Sequence, residues 1–274
     1  MLWGLVAGLA AAACFGLASV VQARAVRSLP DRVTGLRGFV RAALRSPLLL
    51  VVVAAYLAGF VLHAVAIWWL PLYLAQASIA MSLPITALAV GHVDERVSTR
   101  QWLALGAVVA GLWLLAASAG DPGTVRVSAG FVTVLVVGAA AIGGLALVVH
   151  RPVLLGSLSG LAYAGSAIGV RGVGWPPGLL VLLALLAVST YGLLGFWLYS
   201  TGLDRGEVSV VTAPLIVGQT AGPAIVGVAL LGDGVRTGWW PELVAGLLLA
   251  TLGAALVSGR SPGPETGSAP ATAR

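Results

Sequence analysis

The length of its uncharged apolar runs constrains this chain more than any other feature. A helix needs roughly 20 mainly apolar residues to cross the hydrocarbon core of a bilayer. Nine segments meet or approach that length, at about 2–22, 47–69, 71–91, 102–117, 127–149, 153–170, 177–200, 208–231 and 240–257. No Asp, Glu or Arg lies deep in any of them. In lipid the backbone polar groups must be satisfied within the segment itself, so the expected fold class is an all-α polytopic membrane protein of about nine transmembrane helices. Composition agrees: of 274 residues, 59% are hydrophobic and 9% charged, against about 25% charged in an ordinary soluble domain. The first span lacks a basic n-region, and its apolar run is long for an h-region, so it reads as a mature helix. The tail, residues 260–274, is rich in Gly, Pro, Ser and Thr and is expected to be disordered.

Charge placement adds an orientation. All 15 basic residues are Arg, a bias that fits a GC-rich genome, and the formal net charge is +6. A basic chain invites a nucleic-acid reading, but these arginines are scattered between apolar runs, so the expected partner is the lipid bilayer and not nucleic acid. The long loop 24–46 holds Arg24, Arg27, Arg32, Arg37, Arg41 and Arg45 against Asp31 alone. The positive-inside rule makes that loop cytoplasmic, with the N-terminus outside and the C-terminus cytoplasmic. Nine alternating spans then place Arg96, Arg100, Arg151, Arg205, Arg260 and Arg274 inside as well, leaving Arg126, Arg171 and Arg236 outside. The expected location is the cell membrane. Trp3, Trp68, Trp69, Trp102, Trp175, Trp239 and Trp240 sit near span ends, as an interfacial belt requires. The one cysteine, Cys14, excludes a disulfide framework within the chain and reads as a small apolar filler.

The chain also repeats itself. Gly4-x-x-x-Gly8-Leu9-Ala10 opens span 1, and Gly156-x-x-x-Gly160-Leu161-Ala162 opens span 6. Tyr56-x-x-Gly59-Phe60 has an approximate echo in Tyr191-x-x-x-Gly195-Phe196. Pro84 corresponds to Pro223, Asp94 to Asp233, Trp102 to Trp240 and Ser118 to Ser258, with order preserved throughout. Five spans separate the two starts, so the halves, 1–150 with five helices and 151–259 with four, are expected in opposite orientation. That is the inverted-repeat design of many secondary transporters.

The stretch Ala75–Ser118, AQASIAMSLPITALAVGHVDERVSTRQWLALGAVVAGLWLLAAS, places a proline-bearing Ala/Ser helix before an acidic-Glu-Arg turn and a Gly-rich helix. This resembles the drug/metabolite transporter (DMT) superfamily, in particular its EamA-like members. Phe15-Gly16-Leu17-Ala18-Ser19 also looks like that superfamily and its NIPA-type branch of magnesium transporters. Two departures stand beside the resemblance: the turn Gly232-Asp233-Gly234-Val235-Arg236 lacks the Glu, and no tenth helix is visible. The resemblance implies a transporter bundle without naming a substrate.

Ionisable residues at membrane depth are functional candidates because burying them is expensive. His63, two-thirds along span 2, is the clearest: it reads either as a proton relay or as a neutral ring bonded to a neighbouring helix. By the repeat Tyr199 takes the corresponding place in span 7, so the two are expected to face one cavity. Spans 3 and 8 are the polar ones, with Gln76, Ser78, Ser82 and Thr86, then Ser209, Thr212, Gln219 and Thr220. Pro84, Pro214 and Pro223 interrupt backbone bonding in the same helices, which points to a substrate site; the alternative is that Ser and Thr join helices and proline kinks them. Tyr56, Tyr73, Tyr163, Tyr191 and Trp197 are candidate aromatic walls. Asp94, Glu95 and Arg96 form a turn that either fixes the connection between spans 3 and 4 or gates it.

No Walker loop, metal-ligand cluster or Ser-His-Asp set is present, so neither an enzyme nor a cofactor or resident metal is expected. The leading expectation is a secondary transporter of a small neutral or amphipathic solute, acting as a monomer or homodimer. A magnesium or other divalent-cation transporter is the first alternative, weakened because Mg²⁺ favours oxygen ligands including carboxylates. A non-transporting scaffold or lipid-handling protein is the second. A central cavity lined by spans 3 and 8 favours transport; a filled bundle centre favours a scaffold.

Overall fold

Nearly every apolar run is a helix along its whole length. A computed structural model describes residues 1–27, 46–82, 84–85, 98–174, 177–205 and 208–258. Among them nine helices follow one another: α1 (Leu2–Arg27), α2 (Pro47–Trp69), α3 (Leu72–Ala80), α4 (Thr99–Ala117), α5 (Ala129–Val148), α6 (Pro152–Arg171), α7 (Leu179–Arg205), α8 (Val208–Leu230) and α9 (Trp240–Ser258). The described residues form no β-strand, only one antiparallel bridge between Ala119 and Val235. Five helices (α2, α4, α5, α6 and α7) are long and apolar enough to cross a membrane. Arg24 and Arg27, expected in the basic loop, belong to α1; the rest of that loop (28–45), the Asp94-Glu95-Arg96 turn, Thr86, Trp175 and the tail after Ser258 lie outside the described residues.

Local chemistry sets the helix ends. Ser98 and Gln101 form a capping box at the start of α4: the Gln101 N–H donates to Ser98 Oγ at 3.3 Å, and the Ser98 N–H to Gln101 Oε1 at 2.9 Å. Ser128 Oγ caps α5 by accepting from Phe131 N–H, and Pro152 opens α6, where a missing N–H costs nothing. α8 ends at Gly232, whose φ of +75° takes the chain into the left-handed region. The expected single span 71–91 is corrected in part. α3 stops at Ala80 and a turn intervenes at Met81 before Ser82, Pro84 and Ile85 resume helical geometry. The break falls where the Pro84 ring would meet the carbonyl four residues back, on Ala80. α8, by contrast, carries Pro214 and Pro223 without a break.

Packing is tightest where glycine removes a side chain. Gly4 of α1 lies against Trp69 and Leu70, and Gly8 against Ser78 and Ala66. Gly156 and Gly160 of α6 lie against the backbone of Val211 and Leu215 in α8. Gly111 of α4 meets Gly246 and Ala250 of α9, and Gly253 meets Ala104. These contacts fix directions. α1 runs parallel to α3 and α6 parallel to α8, whereas α1–α2, α6–α7 and α4–α9 are antiparallel. α1, α3, α7 and α9 start at the end of the bundle that holds Arg171, and α2, α4, α6 and α8 finish there. α6 is the most enclosed of the five long apolar helices; α8 and α7 pack along it, and α5 and α2 complete its surroundings.

Candidate functional site

A cavity of about 630 Å³ lies among α1, α2, α3, α6, α7 and α8, within the range of about 300–1,000 Å³ that suits a drug-sized ligand. Its walls are mostly apolar: Phe15 from α1, Val53, Leu57, Phe60 and Ile67 from α2, Ala167 and Val170 from α6, Phe196 from α7. The polar residues on its wall are Tyr56, His63, Gln76, Tyr163, Ser166 and Gln219, and none carries a formal charge.

His63 and Gln76 meet at its inner wall. Both are buried, and Gln76 Nε2 lies 3.3 Å from His63 Nε2. An amide nitrogen only donates, so the imidazole Nε2 accepts and the neutral ring carries its proton on Nδ1. That Nδ1 is buried with no hydrogen-bond partner among the described residues, an uncommon state for a buried polar atom. The spacing follows from the fold: the α2–α3 corner at Leu70-Pro71 folds α3 back along α2, so residues 13 apart in sequence face each other.

The sequence candidates divide. His63, Gln76 and Gln219 come together on this wall. Gln76 and Gln219 also border a smaller void of about 80 Å³, shared with Ser82 and Thr220, between α3, α8 and α9. Ser78 lines neither space: it is fully buried, donates to the Ala75 carbonyl of its own helix at 2.7 Å and packs on Gly8 of α1. Pro84 is half-buried and Pro223 fully buried, and neither lines the two spaces. The Thr212 side chain lies outside the described residues. Tyr199 is half-buried beside Val108, Leu215 and Ile216. It is not among the residues that line the cavity with His63, although its neighbours Tyr56 and Tyr163 are. Of the aromatic candidates Tyr56 and Tyr163 line it, whereas Tyr73 and Tyr191 are buried with their hydroxyls on the carbonyls of Gly234 and Leu135. Of the wall that α6 gives, Tyr163 was a candidate, whereas Ser166, Ala167 and Val170 were not; the signal for this helix is the density of Gly, Ala and Ser in residues 156–169, which lets it pack against α2, α5, α7 and α8.

A second unforeseen feature closes the Arg171 end. Arg171, expected in a loop, is the last residue of α6 and is buried, and its guanidinium meets the fully buried Asp233 carboxylate at 3.3 Å. Asp233 also accepts the Leu72 N–H at 2.6 Å and the Gly123 N–H at 2.8 Å. Its charge thereby sits on the first turn of α3, where the helix dipole favours an anion. Arg171 donates to the carbonyls of Leu70 at 2.8 Å and Gly123 at 3.3 Å. Around this pair Tyr73 Oη donates to the Gly234 carbonyl, Trp68 Nε1 to the Val170 carbonyl, the Gly120 N–H to the Gly234 carbonyl and the Gly234 N–H to the Asp121 carbonyl. Four connections between helices are thus joined through one ion pair.

Comparison with protein-family models, with curated proteins and with solved structures returned no match.

Proposed function

We propose that this protein is a secondary transporter of a small neutral or amphipathic solute, working by alternating access across the cell membrane. The observation that carries the reading is the cavity: an uncharged space of about 630 Å³ between helices of both halves, in the place where a scaffold would have a filled centre. Supporting it, each helix of residues 1–117 runs opposite to its sequence counterpart, α1 against α6, α2 against α7, α3 against α8 and α4 against α9. That relation suits the inverted-repeat plan in which two halves rock around a shared site, and it is what the resemblance to the EamA-like transporters implies. With the N-terminus outside, the Arg171–Asp233 cluster lies on the outer side and the cavity is shut from that side. A divalent-cation role has less support, because no carboxylate faces the cavity among the described residues.

The test is flux in proteoliposomes across a panel of neutral, amphipathic and cationic solutes and Mg²⁺, for the wild type, His63→Ala and Gln76→Ala. Transport of at least one neutral or amphipathic solute, reduced about tenfold in each variant, is the expected result; one lost hydrogen bond to a buried polar group is of that size. Absence of flux for every solute overturns the transporter reading. Unchanged flux in both variants overturns the site.

A further inference from the structure

The cavity is not closed on its flank. α1 packs along the length of α2 and α7 along α6, but α2 and α7 barely touch each other. Between them the cavity wall is made by side chains that are also on the outer surface: Leu57 is 62% exposed and Phe60 42% on α2, and Phe196 is 51% exposed on α7. Leu57, Phe60, Ala64 and Ile67 follow one another at helical spacing, and exposure falls along that stripe from 62% at Leu57 to 1% at Ile67. The apolar surface therefore continues without interruption from the flank of the bundle to its centre. Polarity runs the other way. The buried His63–Gln76 pair, with one imidazole nitrogen lacking a partner among the described residues, lies at the inner end, and Gln219 stands near it. No charged side chain lines the path among the described residues.

We propose that the cavity is loaded sideways from the hydrocarbon layer, through the slot between α2 and α7, by an amphiphile with one long apolar chain and an uncharged hydrogen-bonding end. This rests on reading the cavity as the solute site. An aqueous polar solute would have to leave water for a wall that is mostly Leu, Val and Phe, which leaves most of its polar groups unpaired on the way in. A chain already in lipid exchanges one apolar surrounding for another and gains the hydrogen bonds at the end of the path. A charged headgroup finds no counter-ion there, which restricts the end group to a hydroxyl, an amide or an ester.

The probe is hexadecanol carrying a diazirine, added to the full-length protein in phosphatidylcholine vesicles, photolysed and mapped by peptide mass spectrometry. Labelling is expected on α2 around Leu57–Ala64 and on α7 around Gly192–Phe196, competed by unlabelled hexadecanol but not by palmitate or by short-chain butanol. Leu57→Trp, a change at an exposed position that narrows the slot, is expected to abolish the competed labelling while the protein stays folded. His63→Phe is expected to weaken competition by hexadecanol about tenfold, the worth of one buried hydrogen bond, and to leave labelling of the outer faces unchanged. Labelling spread evenly over all lipid-facing helices, or competed equally by palmitate, overturns the proposal. So does a disulfide formed between two copies through Leu57→Cys in a Cys14→Ser background, since the slot would then be an interface. Competed labelling without flux of the same alcohol keeps the lateral site and defeats the transporter reading; flux of water-soluble solutes without competed labelling does the reverse.

Discussion

The Asp233 carboxylate gathers three partners from distant parts of the chain, and the prediction at this scale is an ordering. It holds the buried Leu72 N–H, the part-buried Gly123 N–H and one buried guanidinium, whereas Arg171 without it would still have the Leu70 and Gly123 carbonyls. Removing one partner of a buried pair costs about 3–5 kcal/mol because the other charge is left uncompensated. Asp233→Ala is expected in that range and Arg171→Met below it, read from chemical unfolding in detergent; equal or reversed losses would contradict the geometry. These residues were hard to find from sequence. The spacing of Arg171 and Asp233 relative to their spans says only that each is near an end, and nothing local shows which connections meet, 62 residues apart. His63 and Gln76 were legible for the opposite reason: a polar side chain inside an apolar run is visible wherever it ends up pointing. Tyr199 was reached only through the repeat, and an approximate repeat transfers a position along the chain but not the rotation of the helix that carries it.

At the scale of the elements, glycine separates contact from mere composition. At Gly144 of α5 an added Cβ would meet open space, whereas at Gly160 of α6 it would meet the backbone of Leu215 in α8. Gly144→Ala is expected to stabilise by up to about 1 kcal/mol through helix propensity alone. Gly160→Ala is expected to destabilise by about 1–3 kcal/mol, since a backbone has to move; thermal unfolding of the two variants side by side checks the contrast, and a shared sign would refute it. Apart from α3, helix positions were legible to within about five residues, because an uncharged run of bilayer length has few other ways to satisfy its backbone. The division of α3 was not, although its cause, Pro84, was in view: a mid-span proline can bend a helix or end it, and Pro223 in α8 shows the other outcome. Which helix takes the centre was hidden too. α6 has fewer large side chains than its neighbours, and only packing reveals that smallness as a licence for burial.

For the molecule as a whole, the joined end is an energy term in any exchange between open and closed states. If the halves rock, the state that opens this end has to part contacts between residues 68–73, 118–123, 170–171 and 232–236. A weaker pair then shifts the population toward that state. In a Cys14→Ser background, Gln76→Cys is expected to react slowly with a water-soluble maleimide applied from the Arg171 side, and several-fold faster when Asp233→Asn is added; a rate unmoved by Asp233→Asn would remove the cluster from any gating role. The bridge from Asp233 to the first turn of α3 has one more consequence, for the order of assembly. The carboxylate that completes that turn is encoded 161 residues after it. A chain emerging residue by residue from the ribosome, as domains generally fold during synthesis, holds Leu72 and its neighbours without their anion until the last connection has been made. The first half is therefore finished by the second, and a ribosome stalled before codon 233 would release a bundle whose third helix still lacks its beginning.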